Sequence, residues 1–111
     1  MIDSKQKKPE PKGSEFKFRK QEFDILRKKQ NNKCYATGRE LNSANMNGSH
    51  IIPIRKGGEH IFDNTCLVVE EIRDIKRKLT DKELVEISAD VIRTLGNKYG
   101  YKVSTNKKNP K

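Results

Sequence analysis

The stretch from Ser49 to Asn64 constrains the chain more than any other, because it sets a histidine and an asparagine fourteen residues apart with a proline and a double glycine between them. The run Ile51-Ile52-Pro53-Ile54 favours extended chain through its β-branched side chains, and Pro53, with no amide proton to give to a ladder, confines that strand to an edge or an end. His50 then stands at the strand's entrance. Gly57 and Gly58 supply the positive φ that a sharp reversal needs, and Thr65-Cys66-Leu67-Val68-Val69 reads as the returning strand with Asn64 at its start. Ile72, Ile75 and Leu79 recur at i, i+3 and i+7, so Glu70 to Leu79 reads as a short amphipathic helix packed on both strands. The expected fold class is therefore α+β.

A histidine heading the first strand and an asparagine heading the second, followed at once by a helix, resemble the HNH family of ββα-metal nucleases. The residues that carry the resemblance are His50-Ile51-Ile52-Pro53, Gly57-Gly58-Glu59-His60, Asn64 and Leu67-Val68-Val69. Upstream, Cys34-Tyr35-Ala36-Thr37-Gly38 is similar to the Cys-x-x-Cys-Gly or Cys-x-x-Thr-Gly segment that precedes the motif in many members, so the resemblance covers roughly residues 20 to 79. It implies a small ββα-metal core at about residues 48–79, with flanking N-terminal and C-terminal helices. A phosphodiester repels nucleophiles through its own negative charge, so its hydrolysis needs a base for the water and positive charge for the transition state. The resemblance implies that His50 is that base and that Asn64 holds the loop carrying it. It also implies a divalent metal, magnesium or manganese, at the scissile phosphate.

The chain departs from the family at two ligand positions. Ser49 precedes the histidine where members have Asp or His, and Arg73 stands nine residues after Asn64 where members have His or Asn. An arginine has no lone pair to offer a metal. One expectation is a sparser metal site drawn from Ser49, Asn64, Glu70 and Asp74, with waters completing the octahedron. Arg73 then joins His50 and Asn64 in the catalytic set, and with Arg77, one turn later on the same helix face, it clamps phosphate. The other expectation is a DNA-binding or accessory subunit that has lost its metal and relies on a protein partner. His60 occupies a loop position that is commonly histidine in the family without being the base. The structural zinc of many members is expected to be absent, since Val69 and Ile72 fall where the second cysteine pair belongs and Cys66 lies at the wrong spacing to replace it.

Charge points to the same class of partner. A net +10 on 111 residues only adds self-repulsion unless a polyanion receives it, and double-stranded DNA is the simplest polyanion. Basic charge alone does not separate DNA from RNA, but no aromatic ribonucleoprotein motif is present. No apolar run approaches the ~20 residues of a membrane span, and the N-terminus is polar rather than a signal peptide, so a cytoplasmic, intracellular protein is expected. For the family, a phage or mobile element is the common setting.

Residues 1–14 read as a mobile basic tail and 15–97 as the HNH-like domain. Ser14 is the expected cap of a helix from Glu15, with Phe16, Phe23 and Leu26 as its apolar stripe. Arg19, Lys20, Arg27 and Lys28 make its basic face, either a solvated surface or, beside such a motif, a phosphate-contacting one that Arg55, Lys56, Arg73 and Arg77 extend. Residues 42–48 read as a loop. Thr80 and Glu83 form a capping box for a helix from Asp81 to Leu95, closed by Gly96-Asn97. Residues 98–111 are a basic extension in which the spacing of Tyr99 and Tyr101 between Lys98 and Lys102 suits rings placed on nucleobases, though a packed terminal strand is the favoured reading.

Overall fold

The computed structural model describes residues 16–105. In chain order these form helix α1 (Lys20–Lys29), strands β1 (Met46–His50) and β2 (Thr65–Val69), and helices α2 (Glu70–Lys76) and α3 (Asp81–Leu95). Short 3₁₀ turns lie at Ile54–Lys56, Phe62–Asn64 and Gly96–Tyr99. The chain is thus a mixed α+β protein, divided into two compact units, one ending at Asp81 and one beginning at Lys82.

The first unit is built on β2, all five of whose residues are buried. One edge of β2 pairs antiparallel with β1, from Met46 opposite Val69 to His50 opposite Thr65. The other edge is covered by the segment after α1. The Gln30 carboxamide accepts the Leu67 N–H and donates to the Leu67 carbonyl, each at 3.0 Å, and the Tyr35 N–H donates to the same carbonyl at 2.9 Å. A two-stranded sheet thereby leaves little of its inner edge open to foreign strands. Leu26, Cys34, Leu41 and Cys66 through Val69 form the core, with Phe18, Phe23, Met46, Ile51, Phe62 and Ile72 packed around it. Helix α2 lies against both strands.

Strand β2 and helix α3 occupy the residues expected of them, whereas the first strand does not. It lies at Met46–His50, in residues whose composition reads as loop, and Ile51–Ile54 bends away from the sheet. The reason is the fate of Ile52: its N–H and C=O, which a ladder would use, are both taken by the Asn64 side chain. Pro53 has no amide proton, and Gly57 closes the following turn at φ 97°. The backbone of Met46–His50 meets the demand of β2 for a partner, and that pairing outweighs its weak strand propensity.

Two helix boundaries also move. Helix α2 ends at Lys76 rather than Leu79, as the chain curls over Lys76 and its ammonium takes the Leu79 carbonyl at 3.3 Å. Helix α1 starts at Lys20 rather than Glu15, capped by Arg19, whose N–H donates to Glu22 Oε1 at 3.0 Å. Phe16 and Phe18 precede the helix, their rings tilted against each other with centroids 5.8 Å apart. The tail 1–14, with Ser14 as cap, and residues 106–111 lie outside the described residues.

The second unit consists of α3 and the 3₁₀ turn after it, which folds back so that the Tyr101 N–H donates to the Gly96 carbonyl at 2.9 Å. Among the described residues the expected terminal strand is not formed: residues 101–105 have no regular structure, and Tyr99 and Tyr101 are exposed. Without a partner edge, alternating tyrosines cannot make a strand. Among the described residues no helix is long and apolar enough to cross a membrane.

Candidate nucleic-acid site around His50

His50 is the last residue of β1, held in the ladder opposite Thr65. The loop leaving it is pinned by one carboxamide. Asn64 Oδ1 accepts the Ile52 N–H at 2.8 Å, and Asn64 Nδ2 donates to the carbonyls of Ile52 at 3.0 Å and Glu59 at 2.8 Å. The Asn64 carbonyl in turn accepts the Ile51 N–H at 2.9 Å. Gly58 is part of the same knot, since a Cβ there would sit 1.8 Å from the Ile52 oxygen and 2.9 Å from Asn64 Nδ2. Only glycine lets these groups pass.

The His50 ring meets His60, Nε2 to Nδ1 at 2.9 Å, and His60 in turn lies edge-on to Phe16 with ring centroids 4.8 Å apart. Burial, aided by the nearby His60 and Lys76, pushes the His50 imidazole below its ordinary value of 6.5, so it is neutral at pH 7. In the tautomer in which Nε2 donates to His60, Nδ1 keeps its lone pair. That is the protonation state a general base requires.

His50 opens onto a cleft of about 430 Å³ that is lined by Ser49, Pro53 and three arginines, Arg55, Arg73 and Arg77, and, among the described residues, by no carboxylate. Arg73 is steadied by a hydrogen bond to Asn47 Oδ1 of β1 at 3.1 Å. It and Arg77 also reach Asp74, at 3.3 and 4.0 Å. Such exposed ion pairs are worth little and exchange readily for a phosphate. On α1, Lys20 and Arg27 share Asp24 at 3.0 and 3.3 Å, while Arg19 and Lys28 are exposed. Lys56 follows Arg55 on the 3₁₀ turn.

The four residues expected to hold a metal are not brought together. Ser49 lines the cleft, whereas Asn64, Glu70 and Asp74 do not. Asn64 spends its carboxamide on the loop, Glu70 is exposed at the start of α2, and Asp74 faces Arg73 and Arg77. Among the described residues no three His, Cys, Asp or Glu side chains cluster as a metal site. These residues do not fit a protein-held divalent ion.

At the position that the resemblance aligns with a zinc ligand, Cys34 is buried and its sulfur accepts the N–H groups of Thr37 and Val69, each at 3.4 Å. Burial alone would raise its thiol, but hydrogen bonding from the Thr37 side chain and from the backbone of Val69, Thr37 and Ala36 outweighs it and brings the thiol below its ordinary value. Burial pushes the Cys66 thiol up to about 12, and both cysteines are free. Val69 lies in the core and Ile72 packs against it, filling the space two ligands would use. Elemental analysis of chelator-washed protein should give no stoichiometric zinc, and its unfolding midpoint should not move on washing. One tight zinc per chain, with unfolding on removal, would contradict this.

The residue that sequence reasoning missed is Lys76. It follows Ile72 by four positions, on the stripe that faces the strands, and that placement was the available signal. Comparison of the chain with protein-family models, with curated proteins and with solved structures returns no match.

Proposed function

We propose that this protein is a small DNA endonuclease or nicking enzyme of the HNH type, acting on phosphodiester bonds inside the cell that holds the DNA. The observation that carries the reading is a neutral, loop-anchored His50 at the mouth of a cleft with three arginines and, among the described residues, no carboxylate. A phosphodiester seated on Arg73 and Arg77 has its charge countered by fixed guanidinium groups, which matter most as charge grows in the transition state. His50 Nδ1 then takes a proton from the attacking water as its oxygen bonds to phosphorus, and the sugar oxygen whose bond to phosphorus breaks takes a proton from solvent. A second reading, a DNA-binding module or accessory subunit, is favoured by the scattering of Ser49, Asn64, Glu70 and Asp74.

Supercoiled plasmid separates the two. Incubated with the full chain in chelator, in magnesium and in manganese, it should be converted to open circles in at least one condition, and His50→Ala should slow the conversion at least about a hundredfold. Duplex binding without nicking in all three conditions would leave the binding module standing. Under either reading the affinity should fall steeply with salt. For on the order of six phosphate contacts the loss is about a thousandfold between about 50 and about 200 mM salt, read by fluorescence anisotropy. Salt-insensitive binding would contradict a phosphate-contacting surface.

A further inference from the structure

Lys76 has no exposed surface. A buried ammonium is costly unless oxygens take all three of its protons and a counter-charge stands close. Both conditions are met: Nζ donates to the Ile51 carbonyl at 2.5 Å and the Leu79 carbonyl at 3.3 Å, and pairs with Asp81 Oδ1 at 3.1 Å. The other Asp81 oxygen accepts the Tyr35 hydroxyl at 2.5 Å. A leucine or methionine on this helix stripe would fill the space without the cost of a charge. What the charge touches is the carbonyl of the residue next after His50.

We propose that Lys76 is a positioning residue for His50, fixing the Ile51–Ile52 peptide at the head of the loop that leaves the histidine. All the backbone polar groups of the two residues after His50 have partners. The Ile51 N–H donates to the Asn64 carbonyl and the Ile51 C=O accepts from Lys76, while both groups of Ile52 are held by the Asn64 side chain. The ring therefore leaves β1 on a chain with no free torsional slack on its downstream side. Asp81 and Tyr35 act one step further out by holding the ammonium in place. The inference rests on His50 being the base of the proposed reaction.

Its test compares Lys76→Met with Lys76→Gln in the full chain, by single-turnover plasmid cleavage, duplex affinity, amide exchange of Ile52 and the His50 ring signals in NMR. The methionine variant should cleave about a hundredfold more slowly, the loss typical of a displaced reacting group, with duplex affinity unchanged. Its Ile52 amide should exchange faster and its His50 signals should shift. Glutamine, which keeps a donor for the carbonyl, should recover part of each. If Lys76→Met does not fold, Lys76→Met combined with Asp81→Asn removes both charges and should show the same pattern. Failure of that variant to fold assigns Lys76 to stability alone and overturns the proposal. So does wild-type cleavage by a folded variant, or unchanged exchange and ring signals. A wild-type protein that never cleaves defeats the nuclease reading, and the exchange and ring signals then decide the positioning on their own.

Discussion

His50→Ala is expected to slow cleavage by at least about a hundredfold, and by as much as about ten-thousandfold, with duplex affinity unchanged. The imidazole contributes a lone pair and little charge at pH 7, so its removal takes away chemistry rather than binding. The wild-type pH profile carries the same signature. Burial holds the His50 pKa below 6.5, so the acid limb of cleavage should lie below that of an ordinary imidazole, and activity should persist as the pH falls through 6.5. Stability follows with a definite sign. Well above 6.5 the ring is neutral in the folded and unfolded chains alike and contributes no slope. Below it the unfolded chain binds the proton first, so this contribution to stability is lost as pH falls through the folded value. A variant that cleaves at the wild-type rate, or an acid limb above 6.5, would remove His50 from the role of base.

The knot at Asn64 should produce the second large effect, and the choice of substitution separates geometry from bonding. Asn64→Ala deletes three hydrogen bonds, yet Ile52 is half exposed, so water replaces much of what is lost and the fold should weaken by only about 1–2 kcal/mol. Cleavage should fall about a hundredfold, because the loop after His50 is no longer held in one geometry. Asn64→Asp is the same size and should do no better. It keeps an acceptor for the Ile52 N–H but turns a second oxygen toward the carbonyls of Ile52 and Glu59, where Nδ2 now donates. Gly58→Ala reaches the knot from the other side, since its Cβ would fall inside the Ile52 carbonyl and force the loop apart. Thermal unfolding beside plasmid cleavage reads both quantities. Large stability losses with intact cleavage would show that the knot serves the fold alone.

Several features were legible in the sequence because each is written in neighbouring residues. The β-branched and apolar run Thr65–Val69 has strand propensity and full burial in its own composition, and the Thr80 and Glu83 signal with the apolar spacing after it marks helix α3 at Asp81–Leu95. The glycines between His50 and Asn64 announced the turn, and the resemblance implied that Asn64 holds the loop after His50, which its hydrogen bonds to Ile52 and Glu59 do. What the tertiary structure alone decided is where backbone groups find partners. Ile51–Ile54 has the better strand composition, but the Asn64 carboxamide, twelve residues from Ile52, claims its hydrogen bonds, and Met46–His50 takes the place in the sheet. Asn64 thereby serves the loop, and Ser49, Glu70 and Asp74 are not gathered around it. Lys76 stands on the apolar stripe of α2 by its spacing from Ile72, but only the fold shows its ammonium fully buried on the Ile51 carbonyl. Local propensity is a sum over neighbours in the chain, whereas a buried polar group is satisfied by whatever the fold brings within about 3 Å of it, and a sequence does not display that distance.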